Sequence, residues 1–159
     1  IDTILNDKDI EIVIIGFTWY VEQLVDLEGN QIKDSDFSAR IKAINNLISS
    51  FKDKNKKVYL LGPIEIPEKE LASILSRQIA IKKIKDYKLS TPRVEFNKKY
   101  NLPIEYFSKN MKKNFLLPHK ILCDINNCYF ADNKGSYFAD TNHLSFYGSS
   151  KMKDLFDIY

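Results

Sequence analysis

Two short apolar runs on either side of a helical pattern constrain this chain most strongly. Ile10–Gly16 is rich in β-branched residues and Val58–Gly62 stops at Pro63, so both runs predict buried strands. The residues between them predict a helix, with Asp36 or Ser38 as its N-terminal cap. Its apolar residues recur at helical spacing: Ile41, Ile44, Leu47, Ile48 and Phe51. The order strand, helix, strand predicts a parallel pair joined by a right-handed crossover.

The alternation continues along the chain. Pro67 and Glu68 are expected to open a helix, and further segments predict a short helix over about Pro92–Tyr100 and a strand near Ile104–Phe107. The apolar residues of the first of these helices are Leu71, Ile74, Leu75, Ile79 and Ile81. Residues 111–123 indicate only weak helix or loop, and Ser145 is expected to cap a final helix.

Alternating strands and helices predict the α/β class with a parallel sheet. In such sheets, functional groups gather in loops beyond the carboxyl ends of the strands. Three loops meet this description: Gly16–Trp19, Gly62–Pro67 and Asp140–His143.

Composition excludes several classes of protein. The chain has 159 residues, of which 44% are hydrophobic and 28% charged, which is typical of one soluble globular domain. Its net charge of +3 comes mainly from scattered lysines, so the arginine-rich stripe of a nucleic-acid binder is missing. The apolar stretch Ile10–Phe17 is too short to span a bilayer. The chain shows no signal-peptide pattern and opens at Ile1 without methionine, so we expect a piece of something longer.

Two cysteines, Cys123 and Cys128, are separated by four residues. A metal site would need more ligands, with His119 the only candidate nearby, and a redox motif would have a two-residue gap. A small loop-closing disulfide fits better, because Asp124, Asn126 and Asn127 are turn formers. The alternative is a pair of reduced cysteines. A disulfide would place the chain in an oxidising compartment.

An aspartate precedes a histidine by three residues in the stretch Asp140–His143. A histidine that acts as a general base needs one ring nitrogen free and the other donating to a group that fixes its tautomer, and Asp140 can be that group. On spacing alone, Asp140 can equally be a helix cap. The other histidine, His119, has no such partner and is expected at the surface or in a loop.

The stretch YFADTNHLSFYGSSKM resembles the last conserved block of the SGNH hydrolase superfamily, in which an aspartate and a histidine three residues apart complete a Ser-His-Asp triad. It is most similar to extracytoplasmic SGNH domains fused to the C-terminus of acyltransferase-3 membrane proteins, which O-acetylate bacterial surface polysaccharides. That branch has a small Cys-to-Cys loop before a Y-x-D-x-x-H-L-S-x-x-G block. The matching residues here are Cys123, Cys128, Tyr137 or Phe138, Asp140, His143, Leu144, Ser145 and Gly148.

The stretches KVYLLGPIEIP and IEIVIIGFTWYVE resemble two strands of that branch with the loops that follow them. The resemblance implies a three-layer, flavodoxin-like SGNH fold, with residues 1–159 forming a single partial domain whose N-terminal strand or strands are absent. It implies a bacterial surface glycan and an acetyl donor, supplied through an N-terminal membrane acyltransferase domain of the same protein, as partners. It implies no cofactor, metal or nucleic acid, and a location outside the cytoplasm, tethered to the membrane.

The chain departs from the family pattern at two places. It contains no Gly-Asp-Ser motif, which carries the family's nucleophile, and its strand at Ile10 resembles the family's third. We therefore expect the serine and its strand upstream, in a segment that folding requires because an unpaired strand edge is costly. Where the superfamily has Gly-x-Asn to bind the oxyanion, this chain has Gly16 and Thr18. Thr18 can donate a weaker hydrogen bond, and Trp19 can either stack on a sugar or pack in the core.

Three functions remain open at this stage. The first is acyl transfer to a sugar by an upstream serine, with His143 as base and Asp140 as its orienting partner, and a carbohydrate esterase would use the same triad. The second is a degenerate, non-catalytic module that binds a glycan. The third is a structural domain without a site.

Overall fold

The computed structural model describes residues 1–19, 24–26, 28–34, 37–68, 71–80 and 89–157, apart from the side chains of residues 72 and 77–80. Within these ranges, helices α1 to α6 are Asp2–Asn6, Ser38–Lys52, Leu71–Ala80, Arg93–Met111, His119–Leu122 and Phe146–Lys151. Strands β1 to β9 are Ile12–Ile15, Leu24–Val25, Gln31–Ile32, Lys57–Leu61, Ser90–Pro92, Phe115–Leu116, Asn127–Tyr129, Ala131–Asp132 and Gly135–Ser136. Two 3-10 helices span Lys112–Asn114 and Lys153–Phe156.

Internal contacts divide the chain into two compact units. The first unit comprises Ile1–Gly62 and Lys99–Leu116, and the second comprises Pro63–Lys98 and Leu117–Tyr159. The prediction of a single partial domain stays a prediction.

The first unit is built on a parallel sheet in the order β1–β4–β6. Ile15 of β1 pairs with Leu60 of β4, and Leu60 pairs on its other side with Phe115 of β6. The central strand β4 buries three consecutive side chains, as a strand covered on both faces does. The predicted strands and their parallel pairing are therefore confirmed, and with them the α/β class.

Helix α2 confirms the predicted helix between these strands, but its cap differs from the prediction. Ser38 is the first helical residue, and the capping position belongs to Phe37, whose φ is 62° and whose side chain forms no cap bond. The carboxylate of Asp34 caps the helix instead, because it accepts a 2.7 Å hydrogen bond from the N–H of Ala39 in the first turn. Asp36 lies outside the described residues.

Helix α4 corrects the prediction of a short helix followed by a strand. The predicted strand Ile104–Phe107 is wrong, because the chain stays helical across Pro103 as far as Met111. Apolar residues recur at helical spacing on both sides of the proline and are buried: Phe96, Tyr100, Pro103 and Phe107. Burying such side chains contributes about 2 kcal/mol each, which together offsets the cost of about 3 kcal/mol for a proline in a helix. Although α4 is long, no helix of the described residues is long and apolar enough to cross a membrane.

The third strand of the parallel sheet, β6, lies in the segment for which only weak helix or loop was predicted. Phe115 and Leu116 are both buried, and the pair is too short to show a strand period. The side-chain amide of Asn114 donates a 2.9 Å hydrogen bond to the carbonyl of Val58, which joins this segment to β4.

The second unit pairs its described strands antiparallel, β5 with β7 and β8 with β9. Helix α3 confirms the helix predicted after Pro67, although the described helix begins at Leu71 and Ile81 lies outside the described residues. The final helix α6 is also confirmed. The buried core of this unit consists of Leu71, Leu122, Phe130, Tyr137, Phe138 and Met152.

A disulfide joins Cys123 and Cys128, which confirms the predicted loop closure. Inside the loop, the carboxylate of Asp124 accepts hydrogen bonds from the N–H groups of Asn126 and Asn127, both at 2.7 Å. The turn formers thus hold the loop in the shape that the disulfide requires.

His119 corrects a prediction, because it lies in the core of the second unit rather than at the surface. It is 3% exposed, and its ring centroid lies 5.1 Å from that of Phe96. Its Nδ1 has no hydrogen-bond partner among the described residues. Burial, followed by the charges of Arg93 and Lys120, lowers the pKa of His119 from 6.5 to about 4. The ring is therefore neutral at pH 7.

The burial of His119 predicts a loss of stability in mild acid. Because its pKa is about 4 in the folded chain and 6.5 when exposed, the unfolded chain binds more protons between these values. The free energy of unfolding should fall as the pH drops from about 6.5 to about 4. Thermal melts across this range should show a flatter dependence for His119→Leu, whatever its stability at pH 7. An unchanged slope would contradict the assignment.

Candidate active site

The carboxylate of Asp140 shapes the turn that carries His143. Its Oδ1 accepts hydrogen bonds from the backbone N–H groups of Asn142 and His143, both at 2.7 Å. Its Oδ2 lies 2.7 Å from His143 Nδ1. One side chain therefore orders both the backbone and the imidazole. Its donors, the N–H of Asn142 first and then the His143 ring, lower the pKa of Asp140 from 3.8 to about 2.

The ionised carboxylate fixes the tautomer of His143. A carboxylate can only accept, so Nδ1 of the imidazole carries the proton and Nε2 of the neutral ring keeps its lone pair. The His143 side chain is 79% exposed. In the part of the chain that the structure describes, Asp140 is the one side chain hydrogen-bonded to the ring. Nε2 is thus open to an incoming hydroxyl.

Backbone bonds close both ends of the turn. The N–H of Ala139 donates to the carbonyl of His143 at 2.8 Å, and the N–H of Ser145 donates to the carbonyl of Tyr137 at 2.9 Å. Between them, Phe138 and Leu144 form an antiparallel bridge. Phe138 is fully buried, so the turn rests on the core of the second unit.

Ser145 joins the turn to helix α6 and confirms the predicted cap. Its Oγ accepts a 3.0 Å hydrogen bond from the N–H of Gly148 and donates to the carbonyl of Ser136 at 2.7 Å. One hydroxyl therefore caps helix α6 and also bonds to strand β9.

Gly148 lies where helix α6 touches the backbone of Tyr137. A Cβ at this position would clash with the carbonyl oxygen of Tyr137 and come within 2.7 Å of its carbonyl carbon. Glycine is required here because two backbones approach each other closely. A change of side-chain rotamer cannot relieve a clash between a Cβ and a backbone carbonyl.

A cluster around Asp132, which sequence reasoning missed, holds helix α6 through two of its side chains. Asp132 Oδ2 accepts hydrogen bonds from Tyr147 Oη at 2.7 Å and Tyr137 Oη at 3.2 Å, and Lys151 Nζ lies 3.0 Å away. Burial opposes ionisation, but the bonds from Tyr147, the Lys134 N–H and Lys151 outweigh it and hold the pKa of Asp132 well below its usual range. The one signal in the sequence is that Tyr147 and Lys151 are four residues apart, on one face of a helix.

The other predicted site residues belong to the first unit. Gly16 and Thr18 lie in an exposed stretch after β1, where Thr18 lines a cavity of about 330 Å³, and their oxyanion role stays a prediction. Trp19 is 5% exposed, and its Nε1 donates a 2.9 Å hydrogen bond to the carbonyl of Leu61. Its ring packs on Phe107. These contacts favour core packing, the alternative to sugar stacking.

Comparison with known proteins places the chain in a family. Residues 1–157 match the family described as the SGNH domain fused to AT3 domains, so the chain belongs to that family. This confirms the resemblance predicted from the sequence.

A solved structure shares the fold. The periplasmic domain of the lipopolysaccharide acetyltransferase of Salmonella ser. Paratyphi A is 22% identical, with a TM-score of 0.56, over 91% of this chain and 54% of that domain. This chain thus spans about half the length of that domain. A search among curated proteins found no match to the chain.

The backbone contact at Gly148 predicts a sharp cost for a single methyl group. Gly148→Ala should lower the free energy of unfolding by on the order of 2 kcal/mol, because a backbone clash forces the helix away from Tyr137. Denaturant unfolding measures this effect. Ser149→Ala is the matched control in the same helix, since Ser149 is exposed and should change stability by less than about 0.5 kcal/mol. Equal stability of the two variants would contradict the close approach.

Proposed function

We propose that this chain supplies the base and its orienting partner to a Ser-His-Asp triad that transfers an acyl group, acetyl by resemblance, to sugar hydroxyls of a bacterial surface polysaccharide. The observation that carries the proposal is the 2.7 Å contact of Asp140 Oδ2 with His143 Nδ1, with Nε2 left open. Membership of the SGNH family fused to AT3 domains supports it. The nucleophilic serine is proposed to lie in a segment upstream of Ile1.

In the proposed mechanism, each proton transfer passes through Nε2 of His143. Nε2 takes the serine proton as the serine oxygen attacks the carbonyl carbon of the acyl donor, and the leaving group of the donor departs with that proton. A sugar hydroxyl then gives its proton to Nε2, attacks the acyl-serine, and the proton returns to the serine oxygen. Asp140 stabilises the imidazolium in both steps and stays ionised, because its pKa of about 2 lies far below neutral pH.

The proposed setting is the outside of the cytoplasmic membrane. The disulfide between Cys123 and Cys128 supports an oxidising compartment. The fusion described for the family supports a membrane acyltransferase domain in the same protein, which would deliver the acetyl donor and tether this chain. Gly16 and Thr18 are the candidates in this chain for contacts with the oxyanion.

Hydrolysis by the same triad is the alternative within this proposal. An esterase would accept water where a transferase accepts a sugar hydroxyl, and the pair Asp140 and His143 serves both reactions equally. Incubating the full-length protein with an acetyl donor, with and without de-O-acetylated polysaccharide, separates them. Transfer predicts acetylated polysaccharide, and an esterase predicts free acetate in both reactions.

Substitution of the pair tests the catalytic role. In the full-length protein, His143→Ala should lower the rate of polysaccharide O-acetylation by at least about 10³-fold, because the serine loses its base. Asp140→Asn should cost a similar factor, since a carboxamide no longer fixes the Nδ1–H tautomer. The readout is the ester content of the surface polysaccharide.

Ser149→Ala, exposed on the next helix, serves as the control and should acetylate at the original rate. Unchanged acetylation in folded His143→Ala protein would refute catalysis by this pair. That result would favour a non-catalytic glycan-binding module.

A further inference from the structure

A cavity of about 880 Å³ opens in the second unit beside the Asp140–His143 turn. The apolar part of its lining, here called its floor, includes Leu75, Leu89 and Tyr129. Its rim includes Ala139 and Ser145, the residues that flank the turn on either side. A concave, mainly apolar cavity with a few polar groups at its mouth is the usual form of a small-ligand site.

An exposed aromatic ring stands at the rim of this cavity. Phe146 is 92% exposed, the largest exposed fraction recorded among the large hydrophobic residues described, and it follows His143 by three residues. The ring therefore has almost no packing role in the folded chain. Ser145 fixes its place, because Phe146 is the first residue of the helix that Ser145 caps.

The cavity lining also includes hydrogen-bond donors. Asn133 and Lys134 form the two-residue turn between β8 and β9, both are exposed, and both line the cavity. Neither side chain has a hydrogen-bond or ion-pair partner among the described residues. Asp132 beside them is committed to Tyr147 and Lys151, whereas the neutral amide of Asn133 and the Lys134 ammonium are free to meet a ligand.

We propose that this cavity binds one sugar ring of the acceptor polysaccharide, with a ring face on Phe146 and its hydroxyls on Asn133 and Lys134. A pyranose has C–H groups on its faces and hydroxyls around its edge, so it needs an aromatic surface and hydrogen-bond donors together. An acyl chain would satisfy the apolar floor but leave both donors unused. The proposal rests on the proposed function, since it names the substrate that the cavity would present to His143.

Equilibrium binding tests the site independently of turnover. The probe is polysaccharide extracted from the producing organism and stripped of its O-acetyl esters with mild alkali. The full-length protein carrying His143→Ala should bind it, measured by calorimetry, while the double variant with Phe146→Ala should bind at least about fivefold more weakly. Replacing Phe146 with Tyr instead of Ala should restore most of the affinity, because the aromatic face is kept.

A matched control separates this site from general loss of an aromatic residue. Phe156 is 39% exposed and does not line the cavity, so Phe156→Ala in the same background should leave the affinity unchanged. Asn133→Ala should weaken binding as Phe146→Ala does. Phe146 and Asn133 are both exposed, so their substitution should leave the melting temperature unchanged. An unchanged melting temperature will show that each variant folds.

The outcomes distinguish the two proposals. If Phe146→Ala and Phe156→Ala bind the polysaccharide equally, the cavity is not the acceptor site, whatever His143→Ala does to catalysis. If Phe146→Ala alone, with His143 intact, raises the KM for the acetyl donor and not for the polysaccharide, the cavity holds the donor and the proposal is overturned. If His143→Ala still acetylates but Phe146→Ala weakens binding, the triad proposal fails and the sugar site stands.

Discussion

The carboxylate of Asp140 is the constraint around which the candidate site is organised. Its two oxygens are divided between tasks, one holding the backbone of the turn and the other holding the imidazole. A neutral or shorter side chain would lose at least one of these tasks. Because the same hydrogen bonds stabilise the charged form, the group that shapes the turn also stays ionised, which keeps the His143 ring in one tautomer. The shape of the turn and the charge of Asp140 therefore both depend on the same hydrogen bonds.

The second unit supports this turn with contacts that do not tolerate change in volume. Helix α6 lies against the backbone of Tyr137 at Gly148, and the Asp132 cluster holds the same helix through Tyr147 and Lys151. These contacts anchor the helix that follows the Asp140–His143 turn. The exposed imidazole of His143 therefore sits on a supported turn, the kind of support that a preorganised site has.

Features that depend on neighbouring residues could be predicted from the sequence, and features that depend on distant packing could not. Short patterns predict the order strand, helix, strand, the Ser145 cap and the pairing of Asp140 with His143. Pro103 misled the prediction because a continuous buried face outweighed its local cost. His119 and strand β6 gave no local signal, since burial of a lone histidine and pairing of two residues are decided by the tertiary fold.

The hydrogen bonds that shape the Asp140–His143 turn also have a consequence for folding kinetics. Every hydrogen bond that shapes the turn joins residues no more than nine positions apart, from Ser136 to Ser145. Contacts of such low sequence separation form on the order of microseconds, whereas the parallel pairing of Ile15 with Leu60 must close a loop of more than forty residues. The hydrogen bonds between Asp140 and His143 can therefore form before the sheet of the first unit is complete.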